Sequence, residues 1–126
     1  MNVAVLGASN KPERYSFKAV SLLAEKGHAV FPVNPAIAEA AGRPVFKRLA
    51  DIAAPLDTIT VYLGAERSSP LAEEILAARP RRVIFNPGAE NPELAQRLAA
   101  AGVETLNACT LVMLGTGRFD RSGAGS

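Results

Sequence analysis

The chain has 126 residues, of which 48% are hydrophobic and 21% are charged, a balance typical of one globular domain. A formal net charge of +2 is too small to indicate a nucleic-acid partner, and the single cysteine, Cys109, excludes an internal disulfide and a CxxC metal site. Because no apolar run approaches the roughly 20 residues of a membrane span and MNVAVLG lacks the pattern of a signal peptide, we expect a cytoplasmic protein without membrane contact.

The first three elements follow from short-range patterns. Residues 3–6 form a valine-rich apolar run that is too short for a helix, so they predict a buried strand that ends at Gly7. After a loop, Ser16 is a candidate N-cap for a helix with one apolar face, and Gly27 ends this helix. Residues 29–33 then predict a second strand.

The second strand must stop at Asn34-Pro35, because proline has no amide hydrogen for a sheet. The alternation then continues with a short helix at 48–52, a strand at 58–63, a helix from Ser69-Pro70 to 78, a strand at 83–85, a helix from Asn91-Pro92 to 101 and a strand at 103–106. Strands and helices at this spacing predict crossover connections. The expected fold class is α/β, a Rossmann-like three-layer fold with an open, mostly parallel sheet of about five strands.

The end of the chain has a different composition. We expect one domain over residues 1–117, followed by a polar, glycine-rich and flexible tail over residues 118–126. The apolar segment at 110–114 packs either on this domain or against another subunit. The sequence therefore leaves a homo-oligomer open.

The first strand-to-helix loop has the composition of a phosphate site. Ligands of open parallel sheets bind beyond the carboxyl ends of the strands, which is where this loop lies. It combines Gly7 with the cations Lys11 and Arg14, and it leads into a helix N-terminus, whose free N–H groups favour an anion. The alternative is that Gly7 only permits a tight turn and that both cations are solvated surface charges.

The same loop departs from the pattern of dinucleotide-binding proteins. Ser9 and Pro12 occupy the second and third glycine positions of the GxGxxG spacing. The second strand also ends in Asn34 instead of the acidic residue that would hold an adenosine ribose. Both departures favour a ligand other than NAD.

Three stretches of the chain resemble the CoA-binding protein family, whose domain is similar to the N-terminal domain of the succinyl-CoA synthetase alpha subunit. These stretches are VAVLGASNKPERYSFKAVSLLAEKGHAVFPVNP, GRPVFKRLADI and VIFNPGAENPELAQRLAAAGV. The GAS-x-K-P-x-R-x-S loop followed by VNP is the most specific part. One departure is that the synthetase-type domain carries a lysine shortly after the second strand, where this chain has Ile37.

The resemblance implies coenzyme A as the ligand. It implies that residues 9–12 line the CoA phosphates and that residues 85–87 border the pantetheine. We add Arg14 and Ser16 as donors close to the same anion. The predicted binding residues are Gly7, Ala8, Ser9, Asn10, Lys11, Pro12, Arg14, Ser16, Asn34, Pro35, Phe85, Asn86 and Pro87.

Few residues suit catalysis. The only histidine, His28, is expected at the amino end of the second strand, opposite the ligand edge, and we interpret it as structural. Cys109 is either a small buried hydrophobe or a thiol placed to meet the CoA sulfur in a mixed disulfide. The related small CoA-binding proteins tend to have a cysteine near this point, followed by an acidic stretch that this chain lacks.

We therefore expect a non-catalytic protein that binds CoA or an acyl-CoA as a sensor, carrier or regulatory module. One alternative is a nucleotide-dependent enzyme or enzyme subunit that needs a partner chain, either an NAD(P)-type oxidoreductase or an acyl-CoA ligase subunit. Another is a purely structural interaction domain, which would bind no ligand.

Overall fold

The computed structural model describes residues 1–120, in which strands and short helices alternate. The strands are β1 (Asn2–Leu6), β2 (Ala29–Val33), β3 (Glu39–Ala40), β4 (Arg43–Pro44), β5 (Thr58–Val61), β6 (Arg82–Phe85) and β7 (Glu104–Asn107). The helices are α1 (Tyr15–Glu25), α2 (Ala65–Ser68), α3 (Ala72–Ala78), α4 (Pro92–Ala100) and α5 (Thr110–Gly115), with 3-10 turns at Leu49–Asp51 and Ser69–Leu71. Within residues 1–120, no helix is long and apolar enough to span a bilayer.

Five of the strands form one parallel sheet in the order β2-β1-β5-β6-β7. The sheet is covered on both faces, since one apolar cluster contains Ile75 of α3 and Leu94 of α4, and the other contains Val20 of α1 and Met113 of α5. Parallel neighbours require crossover connections, and α1, α3 and α4 supply them. The predicted Rossmann-like three-layer fold with about five parallel strands is confirmed.

The observed element boundaries show which of them local sequence patterns predict correctly. β2 spans the predicted residues, and Gly27 ends the first helix with a φ of +90°. The prediction of Ser16 as an N-cap is wrong: α1 begins at Tyr15 after the cap residue Arg14, whose side chain makes no capping hydrogen bond. Ser16 is only 6% exposed because it lies in the first turn on the face that packs against the sheet.

The segment between β2 and β5 differs most from expectation. It contains a small antiparallel hairpin, β3-β4, which was not predicted, and the predicted helix at 48–52 is one 3-10 turn. Phe46 then pairs with Val33 in parallel, donating its N–H to the Pro32 carbonyl (2.8 Å) and accepting from the Asn34 N–H (2.9 Å). This pairing holds the segment against the end of β2.

The helix predicted from Ser69 begins earlier and is interrupted. α2 starts at Ala65, and Ser69-Pro70 lies in the 3-10 turn that separates it from α3. The helix start predicted at Asn91-Pro92 is confirmed, and the structure adds that Asn91 is the N-cap, since its side chain accepts the Leu94 N–H at 3.1 Å.

The described end of the chain is held against the domain. α5 packs on the domain through Met113 and Leu114, and Phe119 is 1% exposed. The Phe119 carbonyl accepts a 2.7 Å hydrogen bond from Arg82, whose guanidinium lies 4.3 Å from the centre of the Phe119 ring. The predicted tail therefore does not begin at Arg118, because the buried Arg82 needs this carbonyl and ring. Residues 121–126 lie outside the described part of the chain.

Replacement of Phe119 should destabilise the domain. We expect Phe119→Ala to lower the free energy of unfolding by about 3 kcal/mol, because it opens a cavity and uncovers the Arg82 guanidinium. Urea denaturation measures the change. The control is Val112→Ala, a side chain that is 60% exposed and should alter stability by less than about 0.5 kcal/mol. Equal stability of the two variants would contradict the anchoring role of Phe119.

Candidate functional site

A cleft of about 350 Å³ opens at the carboxyl edge of the sheet. It lies where the strand order reverses, because β1 connects to β2 on one side and pairs with β5 on the other. Open parallel sheets bind ligands at such switch points. Its apolar lining comprises Leu6, Val33, Pro35, Leu49, Leu63 and Leu71, and the other lining residues are Gly7, Asn34, Lys47, Arg48, Arg67 and Glu74.

Gly7 shapes the wall of this cleft next to β1. Its φ is +93°, and a Cβ atom at this position would lie 2.9 Å from Leu63 Cδ2. The N–H groups of Gly7 and Ala8 both donate to the Val33 carbonyl, at 3.0 and 3.1 Å. Glycine is therefore required by both conformation and space, and the first two amides of the loop are used to join it to β2.

The predicted phosphate residues 9–14 form the exposed part of this loop. The Lys11 N–H donates to Ser9 Oγ at 3.1 Å, and Asn10, Lys11, Pro12 and Arg14 are exposed. The first hydrogen bond of α1 runs from the Lys18 N–H to the Arg14 carbonyl. The N–H groups of residues 15–17 therefore have no acceptor within the helix. The loop thus presents cations and helix N–H groups beside the cleft.

The side chain of Asn34 connects two loops of the site through hydrogen bonds. Its Nδ2 donates to the Ala8 carbonyl at 2.7 Å, and its Oδ1 accepts the Ala36 N–H at 2.7 Å. The residue that replaces the acidic ribose contact of dinucleotide proteins therefore links the loop after β1 to the turn after β2. Asn34 and Pro35 both line the cleft, as does Gly7.

The side chains of Phe85 and Asn86 are buried and stabilise the fold. The Phe85 side chain is 0% exposed in the core. Asn86 is 2% exposed, and its Nδ2 donates to Thr60 Oγ1 (2.7 Å) and to the Val61 carbonyl (2.9 Å), while its Oδ1 accepts the Thr110 N–H (2.9 Å). Neither side chain is open to a ligand. At the predicted pantetheine border, only Pro87 is exposed.

Tyr62 and Cys109 lie near this asparagine network. Burial, which outweighs the nearby hydroxyls of Thr60 and Thr110, raises the pKa of Tyr62 to about 12. Tyr62 therefore keeps its proton at neutral pH. Its hydroxyl is shielded from solvent and makes no well-aligned hydrogen bond within residues 1–120. Cys109 is half-buried at the residue preceding α5.

Three cations that line the cleft are not among the predicted binding residues: Lys47, Arg48 and Arg67. Lys47 and Arg48 reach the cleft because Phe46 pairs with Val33, a contact that no local pattern predicts. Arg67 could have been found, since it follows the strand ending near Leu63 and thus lies at the ligand edge. Ile37, which replaces the family lysine, is not one of the lining residues.

His28 lies at the opposite edge, as the sequence predicted. Its Nδ1 is 3.1 Å from the Met1 amino nitrogen, and its Nε2 is 3.4 Å from Asp120. Burial, together with the positive N-terminus, lowers the pKa of His28, so the ring is neutral at physiological pH. Across the described 120 residues, no group of three or more His, Cys, Asp or Glu side chains is arranged to hold a metal ion.

The fold and the switch-point cleft place this chain in the class of Rossmann-like α/β domains. More narrowly, it belongs to the CoA binding domain family, whose model matches residues 1–115. An uncharacterised Bacillus subtilis protein, YneT, is 32% identical over 100 residues, covering 79% of this chain and 74% of the relative.

Solved structures show the same architecture. A Thermus thermophilus protein described as cell-free ID.343 is 30% identical, with a TM-score of 0.86 over 94% of this chain and 90% of its own. A dinucleotide-forming acetyl-coenzyme A synthetase from Ca. Korarchaeum cryptofilum is 20% identical, with a TM-score of 0.72 over 85% of this chain and 25% of its own. The second likeness is one of fold alone.

The hydrogen bonds of Asn86 give a test of its structural role. We expect Asn86→Ala to lower the free energy of unfolding by about 3 kcal/mol, because the buried Thr110 N–H loses its acceptor and Thr60 Oγ1 and the Val61 carbonyl each lose one hydrogen bond. Chemical denaturation gives the value. Asn107→Ala, at an exposed side chain in β7, is the matched control and should be nearly neutral. A stable Asn86→Ala protein would show that this side chain is free for another purpose.

Proposed function

We propose that this domain binds coenzyme A or an acyl-CoA and acts as a non-catalytic sensor, carrier or regulatory module. The observation that carries the proposal is the apolar cleft at the switch point, bordered by the cationic loop after Gly7, in a member of the CoA binding domain family.

The geometry supports a specific orientation of the ligand. The adenine fits the apolar lining formed by Leu6, Val33 and Leu63, since planar bases bind by burial between aliphatic side chains. The diphosphate then lies at the loop, where Lys11 and Arg14 supply charge and the first turn of α1 supplies N–H groups. The other predicted contacts of this loop are Ser9, Asn10 and Pro12.

The remaining part of the ligand points along the carboxyl edge. Pantetheine leaving the diphosphate passes toward Pro87, which is exposed after β6, and toward Cys109, which follows β7. This direction is supported by the sheet order, because β6 and β7 are the next strands beyond β5.

The positions of two titratable groups, His28 and Tyr62, support a non-catalytic role, and the carboxylate of Glu74 in the cleft already accepts a backbone N–H. His28 lies at the amino edge, away from the cleft, and Tyr62 has a pKa of about 12, too high for a base at neutral pH. The alternative is an enzyme subunit completed by a partner chain. It is favoured by the likeness of this fold to one quarter of a much longer acetyl-coenzyme A synthetase.

A thermal-shift panel tests the ligand. With CoA, acetyl-CoA, NAD, NADP and ATP, we expect stabilisation by CoA and acetyl-CoA, which amounts to about 2.7 kcal/mol at a hundredfold excess over the dissociation constant. The absence of a shift with CoA would reject the proposal. A larger shift with NADP than with CoA would favour the oxidoreductase alternative.

Removal of the loop cations should weaken binding without unfolding the domain. We expect Lys11→Ala/Arg14→Ala to raise the dissociation constant for CoA about tenfold or more, because charge-assisted contacts to the diphosphate are lost. Isothermal titration calorimetry gives the constants. The control is Lys26→Ala/Arg118→Ala, which removes equal charge at exposed positions near the amino edge. Equal affinity of both variants would place the diphosphate elsewhere.

Cys109 provides a covalent test of the pantetheine direction. Its thiolate can attack the disulfide of oxidised CoA, forming a protein–CoA disulfide and releasing one CoA thiolate. We expect mass spectrometry to detect one CoA adduct on the wild-type protein and none on Cys109→Ser. Lack of an adduct on the wild type would mean that the thiol does not meet the CoA sulfur.

A further inference from the structure

The cleft receives positive charge from both sides of β1. Lys47 follows Phe46, which pairs with Val33 at the end of β2. Arg67 lies in α2, which follows β5 on the other side of β1. Both side chains are exposed and both line the cleft, so they border the apolar surface on which a base would lie.

No partner among the described residues neutralises the charge of Lys47 or Arg67. Glu74 is the acidic residue of the cleft, and its Oε2 already accepts the Ala50 N–H (3.1 Å) and lies 3.8 Å from Arg48 Nε. Among residues 1–120, the side chains of Lys47 and Arg67 form no ion pair or hydrogen bond. Two unneutralised cations beside an apolar cleft favour an anionic group on the ligand.

These cations are separate from those of the Gly7 loop. Lys11 and Arg14 belong to the exposed loop and are not lining residues of the cleft, whereas Lys47 and Arg67 are. One cationic group lies at the N-terminus of α1 and the other at the cleft itself. A ligand with a planar body and phosphates at two separate positions would use both groups.

We infer that Lys47 and Arg67 bind the ribose 3′-phosphate of CoA and thereby select it over nucleotides whose ribose carries no phosphate. This inference rests on the proposed function, which assigns the 5′-diphosphate to the Gly7 loop. Arg67 offers a planar guanidinium that can hold two phosphate oxygens, and Lys47 adds a point charge from the opposite side of β1. The two residues determine specificity and are not catalytic.

The experiment compares CoA with 3′-dephospho-CoA, which differs only in the phosphate concerned. By calorimetry, we expect the wild-type protein to bind CoA at least about tenfold more tightly than dephospho-CoA. Lys47→Ala/Arg67→Ala should weaken CoA binding to the level of dephospho-CoA and leave the affinity for dephospho-CoA unchanged. Equal affinity of the wild type for both ligands, or an equal loss for both in the variant, would overturn the inference.

Two controls separate the outcomes. Lys26→Ala/Arg118→Ala removes the same charge at the amino edge and should keep the preference for CoA, which excludes a general effect of net charge. Circular dichroism confirms that each variant is folded, as expected for exposed side chains. If the wild type binds neither ligand, the proposed function fails and this inference fails with it. Equal binding of both ligands overturns the inference alone.

Discussion

The narrow space around Gly7 is the constraint on which the candidate site depends. The chain leaves β1 between the ends of β2 and β5, and a Cβ at Gly7 would lie 2.9 Å from Leu63 Cδ2 and 3.3 Å from the Tyr62 carbonyl carbon. Because glycine fits there and tolerates a φ of +93°, the loop turns at once toward β2 and donates two N–H groups to the Val33 carbonyl. This turn leaves the ends of β1, β2 and β5 open to form the cleft.

Two asparagines after parallel strands show how polar residues divide between fold and site. Asn34 lines the cleft, and its side chain also joins the loop after β1 to the turn after β2. Asn86 is buried, and its donors and acceptor connect β5 to the start of α5. Both fix the carboxyl edge before any ligand arrives, so less ordering remains to oppose binding.

The positions of the charged side chains say more about the candidate site than the net charge of the chain does. The formal net charge is +2, yet the carboxyl edge presents Lys11 and Arg14 in the loop after Gly7 and Lys47 and Arg67 at the cleft. At the amino edge, the buried Arg82 binds the carbonyl of Phe119 and lies against its ring, while desolvation lowers the pKa of the guanidinium. The carboxyl edge therefore presents exposed cations at the cleft, whereas the buried Arg82 at the amino edge contributes to packing.

The sequence by itself determined the fold class, through the alternation of strands and helices. It also determined the bounds of β2, the end of the first helix at Gly27 and the start of a helix at Asn91-Pro92, because each of these depends on neighbours within a few residues. It also indicated the loop after Gly7. Only the tertiary structure decided that Ser16 and Asn86 are buried, that Phe119 covers Arg82, and that Lys47 and Arg67 border one cleft. These facts depend on contacts between residues far apart in the chain, such as the pairing of Phe46 with Val33 and the packing of Phe119 on Arg82, which leave no periodic trace in the sequence.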